Sequence, residues 1–194
     1  NPRYAGACGY TAASNYLWIT SPEFTNLHNA LQQDLSEIIQ AKGFSLRGPY
    51  NSYDLIPFSD KKSIDLLLTP IMELSVTLKD PKQGVESIWT APPVAILTGN
   101  VNVSGKITLE AREIVTRELM WIKTIPFKKF TFSYRLRIPA FKPPFPYALL
   151  MKDVAKGIEQ QYPDVMATIY NLVDPEEMQI IKKQAQELKN KKGY

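Results

Sequence analysis

The sequence predicts an α+β fold: a largely antiparallel twisted sheet with helices packed on one side and a C-terminal helix pair. Three observations predict it. Apolar residues recur at helical steps near both ends of the chain, alternate with polar ones through the middle, and follow the order β-α-β, strands, then helices. The 194 residues are 44% hydrophobic and 22% charged, the composition of an ordinary globular protein, and a single domain over 1–194 accounts for them.

Residues 1–14 are expected to be an irregular N-terminal segment. Asn15 to Thr20 (NYLWIT) is a short aromatic and β-branched run that reads as a strand ending at Ser21-Pro22. From Glu23 to Lys42, Phe24, Leu27, Leu31, Leu35 and Ile38 recur at steps of three and four, which predicts a helix with Gly43 as its stop. Phe44 to Arg47 reads as a second strand, and Gly48 to Lys62 as polar and turn-rich. Across Ile64 to Leu78, Met72, Leu74, Val76 and Leu78 alternate with Glu73, Ser75 and Thr77, and Pro70 marks a break or an edge. Residues 79–100 hold three prolines, two glycines and Trp89, so a long loop or crossover is expected there.

Val101, Val103, Ile107, Leu109 and Ala111 then alternate with polar residues, with Gly105 as a candidate bulge. A second run covers Glu118 to Phe127. In the third, Phe130, Phe132, Tyr134, Leu136 and Ile138 face one way and Lys129, Thr131, Ser133, Arg135 and Arg137 the other. Together these runs predict an antiparallel meander with one wet face. Prolines 139, 143, 144 and 146 make 139–147 a stiff connector, and 148–194 is helical. One helix is expected from roughly Ala148 to Leu172, interrupted or kinked at Pro163. The last starts at Asp174-Pro175-Glu176-Glu177, an N-cap acid followed by proline at the first helical position, and carries the stripe Met178, Ile181, Ala185, Leu188.

The formal net charge is +4, yet residues 182–194 hold five lysines and one acid. The first 181 residues are therefore neutral, with 18 cations and 18 acids, and lack the basic excess with which a protein tracks a phosphate backbone. No nucleic-acid partner is expected. The terminal lysines fall where cations complement a helix dipole.

Cys8 is the one cysteine, which excludes an intrachain disulfide and a cysteine-based zinc site. Small residues precede it, as in a lipoprotein cleavage site, but no apolar stretch does, so a plain free cysteine is expected. His28 is the one histidine, at the border of the first helix's apolar face, and reads as structural or solvent-facing; an enzyme reading rests on it alone. No glycine-rich phosphate loop is present, and no cofactor is expected. The opening Asn1-Pro2-Arg3 reads as a mature or trimmed form.

The candidate ligand site is Lys79-Asp80-Pro81-Lys82 followed by Trp89. An aromatic face stacks on the apolar carbons of a sugar ring while a lysine meets an acidic sugar's carboxylate. A solvated loop with Trp89 returning to the core is the alternative reading.

The ending Lys183 to Lys192 (KQAQELKNKK) resembles the C-terminal helix of the neuraminyllactose-binding haemagglutinin family, lipoproteins of gastric bacteria described as adhesins and flagellar-sheath proteins. The likeness continues in Tyr16 to Phe24 (YLWITSPEF), Ile38 to Phe44 (IIQAKGF), Thr77 to Lys82 and Gly105 to Leu109 (GKITL). It implies a non-enzymatic protein of the outer membrane or flagellar sheath, held by an N-terminal lipid anchor that lies before the matched region. Its implied partners are sialylated host glycoconjugates. The family's proposed sialic-acid motif, KRTIQK, follows an Asp-Pro pair; here Asp80-Pro81 is followed by KQGVES, so only Lys82 carries over and Glu86 adds a charge that repels a carboxylate. The chain thus looks like a divergent paralogue. An envelope or sheath assembly protein that binds other envelope proteins is the alternative from a different class.

Overall fold

The computed structural model describes residues 22–50, 52–86, 94–139 and 147–191. Cys8, Trp89, the predicted strand at Asn15 to Thr20 and most of the proline-rich connector lie outside them. The α+β architecture is as predicted: a four-stranded antiparallel sheet with helices before and after it.

Helix α1 (Pro22–Ala41) buries Phe24, Leu27, Leu31 and Leu35 as predicted, but in its last turn the buried residue is Ile39, with the predicted Ile38 only half-buried beside it. Its end is a Schellman motif. Gly43, at φ +88°, donates its N–H to Gln40 O, and the Phe44 N–H reaches Ile39 O, a geometry in which the left-handed residue is best a glycine. The strand expected at Phe44 to Arg47 is not formed; the segment is irregular and no strand among the described residues pairs with it. The turn-rich stretch contains instead the short helix α2 (Phe58–Ser63).

Strands β1 (Leu66–Glu86) and β2 (Val94–Glu113) form one long antiparallel ribbon, which overturns the expected loop over 79–100. Proline forbids a central strand but not an edge, and β1 has β2 as its only partner among the described residues. Strands β3 (Leu119–Pro126) and β4 (Phe130–Pro139) both pair antiparallel with the other side of β2, β3 along 106–112 and β4 along 94–103. The meander is therefore β1, β2 and a third strand broken at 127–129. Gly105 is not a bulge in β2 but sits beside that break: Phe127 N–H bonds its carbonyl, and a Cβ there would lie 2.5 Å from Glu73 O.

Cross-strand partners share a face, so Met72, Leu74, Val101, Val103, Ile107, Leu109, Trp121 and Ile125 form one apolar floor. The helices cover it. The predicted helix 148–172 is two, α3 (Met151–Glu159) and α4 (Tyr162–Leu172), separated at Gln160-Gln161, with Pro163 in the first turn of α4 where its missing N–H costs nothing. The Gln161 amide accepts from Lys128 N–H at 2.7 Å and donates to Lys128 O at 2.9 Å, serving the backbone exposed by the β3–β4 break. The Tyr162 hydroxyl donates to Asp34 at 2.7 Å and ties α4 to α1; burial, then that bond, raises the phenol's pKa.

Helix α5 (Pro175–Lys191) starts as predicted, with the Asp174 carboxylate accepting from Glu176 N–H at 2.7 Å and Glu177 N–H at 3.3 Å. Its lysines do more than complement the dipole. Lys189 is buried, 7% exposed, and its ammonium donates to Lys62 O at 3.1 Å and Ile64 O at 2.7 Å, fastening the helix end to the entry of β1. Lys189→Met keeps the apolar stem and strips both carbonyls of their donor, so a loss of about 2 kcal/mol is expected. Thermal denaturation should show a drop of roughly 4–8 °C, against less than about 1 °C for Lys191→Met at the exposed end.

Candidate functional site

The sequence-predicted residues Lys79, Asp80, Pro81 and Lys82 form a β-bulge in the edge strand, not a loop. Lys79 pairs with Asn100 and Lys82 with Thr98, so β1 carries one extra residue here, and Asp80 takes it up at φ +51°. The consequence is a matter of parity. Residues three apart in a regular strand face opposite ways, but the bulge returns Lys82 to the side of Lys79, the outer face away from the helices.

That face continues across β2 and β4. Lys79, Asn100 and Ser133 lie in one cross-strand row, and Lys82, Thr98 and Arg135 in the next, with Arg137 one row further out. The Ser133 hydroxyl donates to Asn100 Oδ1 at 2.8 Å and the Thr131 hydroxyl to Asn102 Oδ1 at 2.9 Å. Glu86 lies between Arg137, which donates to it at 2.6 Å, and Arg135, at 3.3 Å. Its charge, expected to repel a carboxylate, is thus already matched by two guanidinium groups. Lys79, Lys82, Arg135 and Arg137 outnumber Asp80 and Glu86 on this strip, which leaves it net positive.

Strands are spaced about 4.8 Å apart, so Lys82 and Arg135, on the outer two of three, stand roughly 10 Å apart with Thr98 between them. A row of hydroxyl and amide groups flanked by cations can hold a carboxylated, hydroxyl-rich ligand without a deep pocket. Arg135 and Arg137 were missed as site residues. Their signal was the wet side of the clearest alternation, 129–137; what the alternation lacked was the strand partner that brings it beside Lys82.

A second concavity, of about 400 Å³, lies at the other end of β1, enclosed by α1, segment 43–50, the start of β1 and α5. His28 lines it, half-buried, and desolvation lowers its pKa, which favours the neutral imidazole. Tyr50, also at the wall, donates its hydroxyl to Asp60 at 2.6 Å, a bond that raises the phenol's pKa. Among the described residues no group of three or more histidine, cysteine or acidic side chains could hold a metal ion, and no helix is long and apolar enough to cross a membrane.

No family model matches the chain, and no curated protein matches it by sequence. Solved structures do. The fold is similar to that of a neuraminyllactose-binding hemagglutinin homolog from Helicobacter pylori, with a TM-score of 0.54 over 82% of this chain and 79% of the other, at 20% identity. At that identity the likeness is one of fold. A minor lipoprotein from Acinetobacter baumannii overlaps 79% of this chain and 83% of its own at 10% identity, with a TM-score of 0.23, too low to argue from.

Proposed function

We propose that this chain is a non-enzymatic binding module of the bacterial cell surface, and that the outer face of its β1–β2–β4 arm takes acidic glycans, sialylated ones included. The observation that carries this reading is the bulge at Asp80-Pro81, which sets Lys79 and Lys82 on one face with Arg135, Asn100 and Ser133. The fold likeness to a haemagglutinin homolog is consistent with it. Display on the outer membrane or flagellar sheath through a lipid anchor belongs to the same reading.

On a glycan array, sialyl-lactose should be retained and lactose should not. Lys82→Glu combined with Arg135→Glu should weaken retention at least tenfold, and binding should fall as salt rises, because the contacts are exposed and screened. Failure of the wild-type chain to retain any sialylated or other carboxylated glycan would remove the adhesin reading. The outer edge of β1, which no strand among the described residues covers, favours a second one, an envelope assembly protein, since such a strand edge is a template for a partner's backbone. Cross-linking on intact cells separates them: an adhesin is labelled from outside, whereas an assembly protein captures its envelope neighbours.

A further inference from the structure

The cleft beneath segment 43–50 is built differently from the arm. It lies nine or more residues from the bulge along β1, about 30 Å at ~3.3 Å per residue. Its depth is apolar: Leu35 and Ile39 of α1 and Met178 of α5 are buried at its base, and Leu66 and Leu68 of β1 and Phe44 line its walls. Its volume, about 400 Å³, is near the small end of ligand sites, which run from ~300 to 1,000 Å³. That suits one flexible chain, not two.

Two cations stand in its wall with their charged ends exposed, Arg47 and Lys182. Among the described residues each is paired with one carboxylate, at a long distance. Arg47 is 3.4 Å from Asp60, an acid that already accepts from the Tyr50 hydroxyl at 2.6 Å. Lys182 is 3.7 Å from Asp65, which also accepts from the Gln186 amide at 3.2 Å. Ion pairs of this length, with the cation substantially exposed, contribute little, so either cation can turn to an incoming anion at small cost. Asp65 is the one carboxylate among the described lining residues.

From this geometry we infer that the cleft is a binding site for an amphiphile with a single acyl chain and an anionic head. The chain lies against Leu35, Ile39, Leu66 and Met178, and the head meets Arg47 and Lys182. Burial of the chain supplies the affinity, and the cations select an acid over an alcohol of equal length.

The test is calorimetric titration of the full chain with dodecanoate, with a lysophosphatidylglycerol of the same acyl length, and with dodecanol, all below micelle formation. One-to-one, saturable binding of at least one of the acids is expected, with dodecanol at least tenfold weaker. A stronger response to dodecanoate assigns a free fatty acid as the source; a stronger response to the lysolipid assigns a phospholipid fragment. The double variant Arg47→Glu/Lys182→Glu, at an exposed and a half-buried position, should lose at least tenfold in affinity for the acids while keeping the wild-type circular dichroism spectrum. Ser36→Phe, which puts a ring into the cleft from α1, should lose binding of every chain. The inference is overturned by absence of saturable binding of both acids, by dodecanol binding as tightly as dodecanoate, or by full acid affinity in the charge-reversed variant.

Discussion

Glu113→Ala is expected to cost about 3 kcal/mol and to lower the melting temperature by roughly 6–12 °C. Glu113 is the last residue of β2, paired with Leu66 on the helix-covered face, and its side chain is 0% exposed. A carboxylate there is tolerable only if its oxygens are engaged, and they are. Both accept from Val115 N–H, at 3.0 and 2.9 Å, and one also accepts from Thr116 N–H at 2.5 Å. These amides would otherwise have no partner in the tight connection to β3, which closes with Arg117 N–H on Glu113 O, Glu113 N–H on Glu118 O, and Arg117 in the left-handed region at φ +61°.

Alanine removes a charge-assisted acceptor from two partly buried donors, at about 1.5–3 kcal/mol for each such bond, offset in part by the desolvation that the carboxylate no longer suffers. Glu113→Gln should fall near half the loss, because one amide oxygen still accepts while the NH₂ opposes a backbone donor. Glu118→Ala, on the same turn but exposed, should shift the melting temperature by less than about 2 °C. Equal melting temperatures for Glu113→Ala and Glu118→Ala would show that the buried carboxylate does not hold the turn.

The legibility of this chain follows from the range of the interactions that shape each part. The α1 stripe, the Asp174 cap and the alternation of 130–138 are local patterns, and the structure carries all three. The arm over 79–100 was hidden because proline and glycine counts speak for a loop, whereas the physical constraint on proline concerns which edge of a sheet it occupies, a property set by strand order. Phe44 to Arg47 erred in the other sense: Phe44 and Leu46 alternate with polar residues, but no strand among the described residues pairs with the segment, and it becomes a wall of the cleft.

Of the candidate site, Lys79 and Lys82 were visible as charges, and Arg135 and Arg137 as the wet side of a strand. That the four share one face depends on a bulge and on β2 pairing with both β1 and β4, which sets Thr98 between Lys82 and Arg135. The cleft is less legible still, since His28, Arg47, Leu66 and Lys182 meet only through the packing of α1, β1 and α5. Lys189 belongs to the same class: a lysine in a basic helix end reads as solvated until the carbonyls of Lys62 and Ile64 are seen beside it.

Gly157→Ala is expected to destabilise the fold by about 2 kcal/mol, although at an exposed helix position the same change would stabilise by ~1 kcal/mol. Gly157 lies in α3, where the helix presses on the start of β4, and a Cβ added there would lie 2.2 Å from Phe130 Cε2 and 2.4 Å from Cζ. No ordinary carbon contact is that short, so the ring or the helix must shift by an ångström or more. The ring is not free to do so cheaply, since Phe130 stacks on Phe132 at 6.5 Å and packs against the core. Contacts this short place the overpacking at the upper end of the range, about 3 kcal/mol, which less the ~1 kcal/mol helix-propensity gain leaves the net loss.

A double-mutant cycle isolates the cause. In a Phe130→Ala background the obstructing ring is gone, and Gly157→Ala should change sign and stabilise by ~0.5–1 kcal/mol, read as a rise in the denaturation midpoint relative to Phe130→Ala alone. The same loss in both backgrounds would mean that the helix, not its contact with β4, requires the glycine. A sign change would identify the bare helix face at Gly157 as what lets α3 lie directly on the strand that carries Arg135 and Arg137, so that a missing side chain on the inner face sets the position of the cations on the outer one.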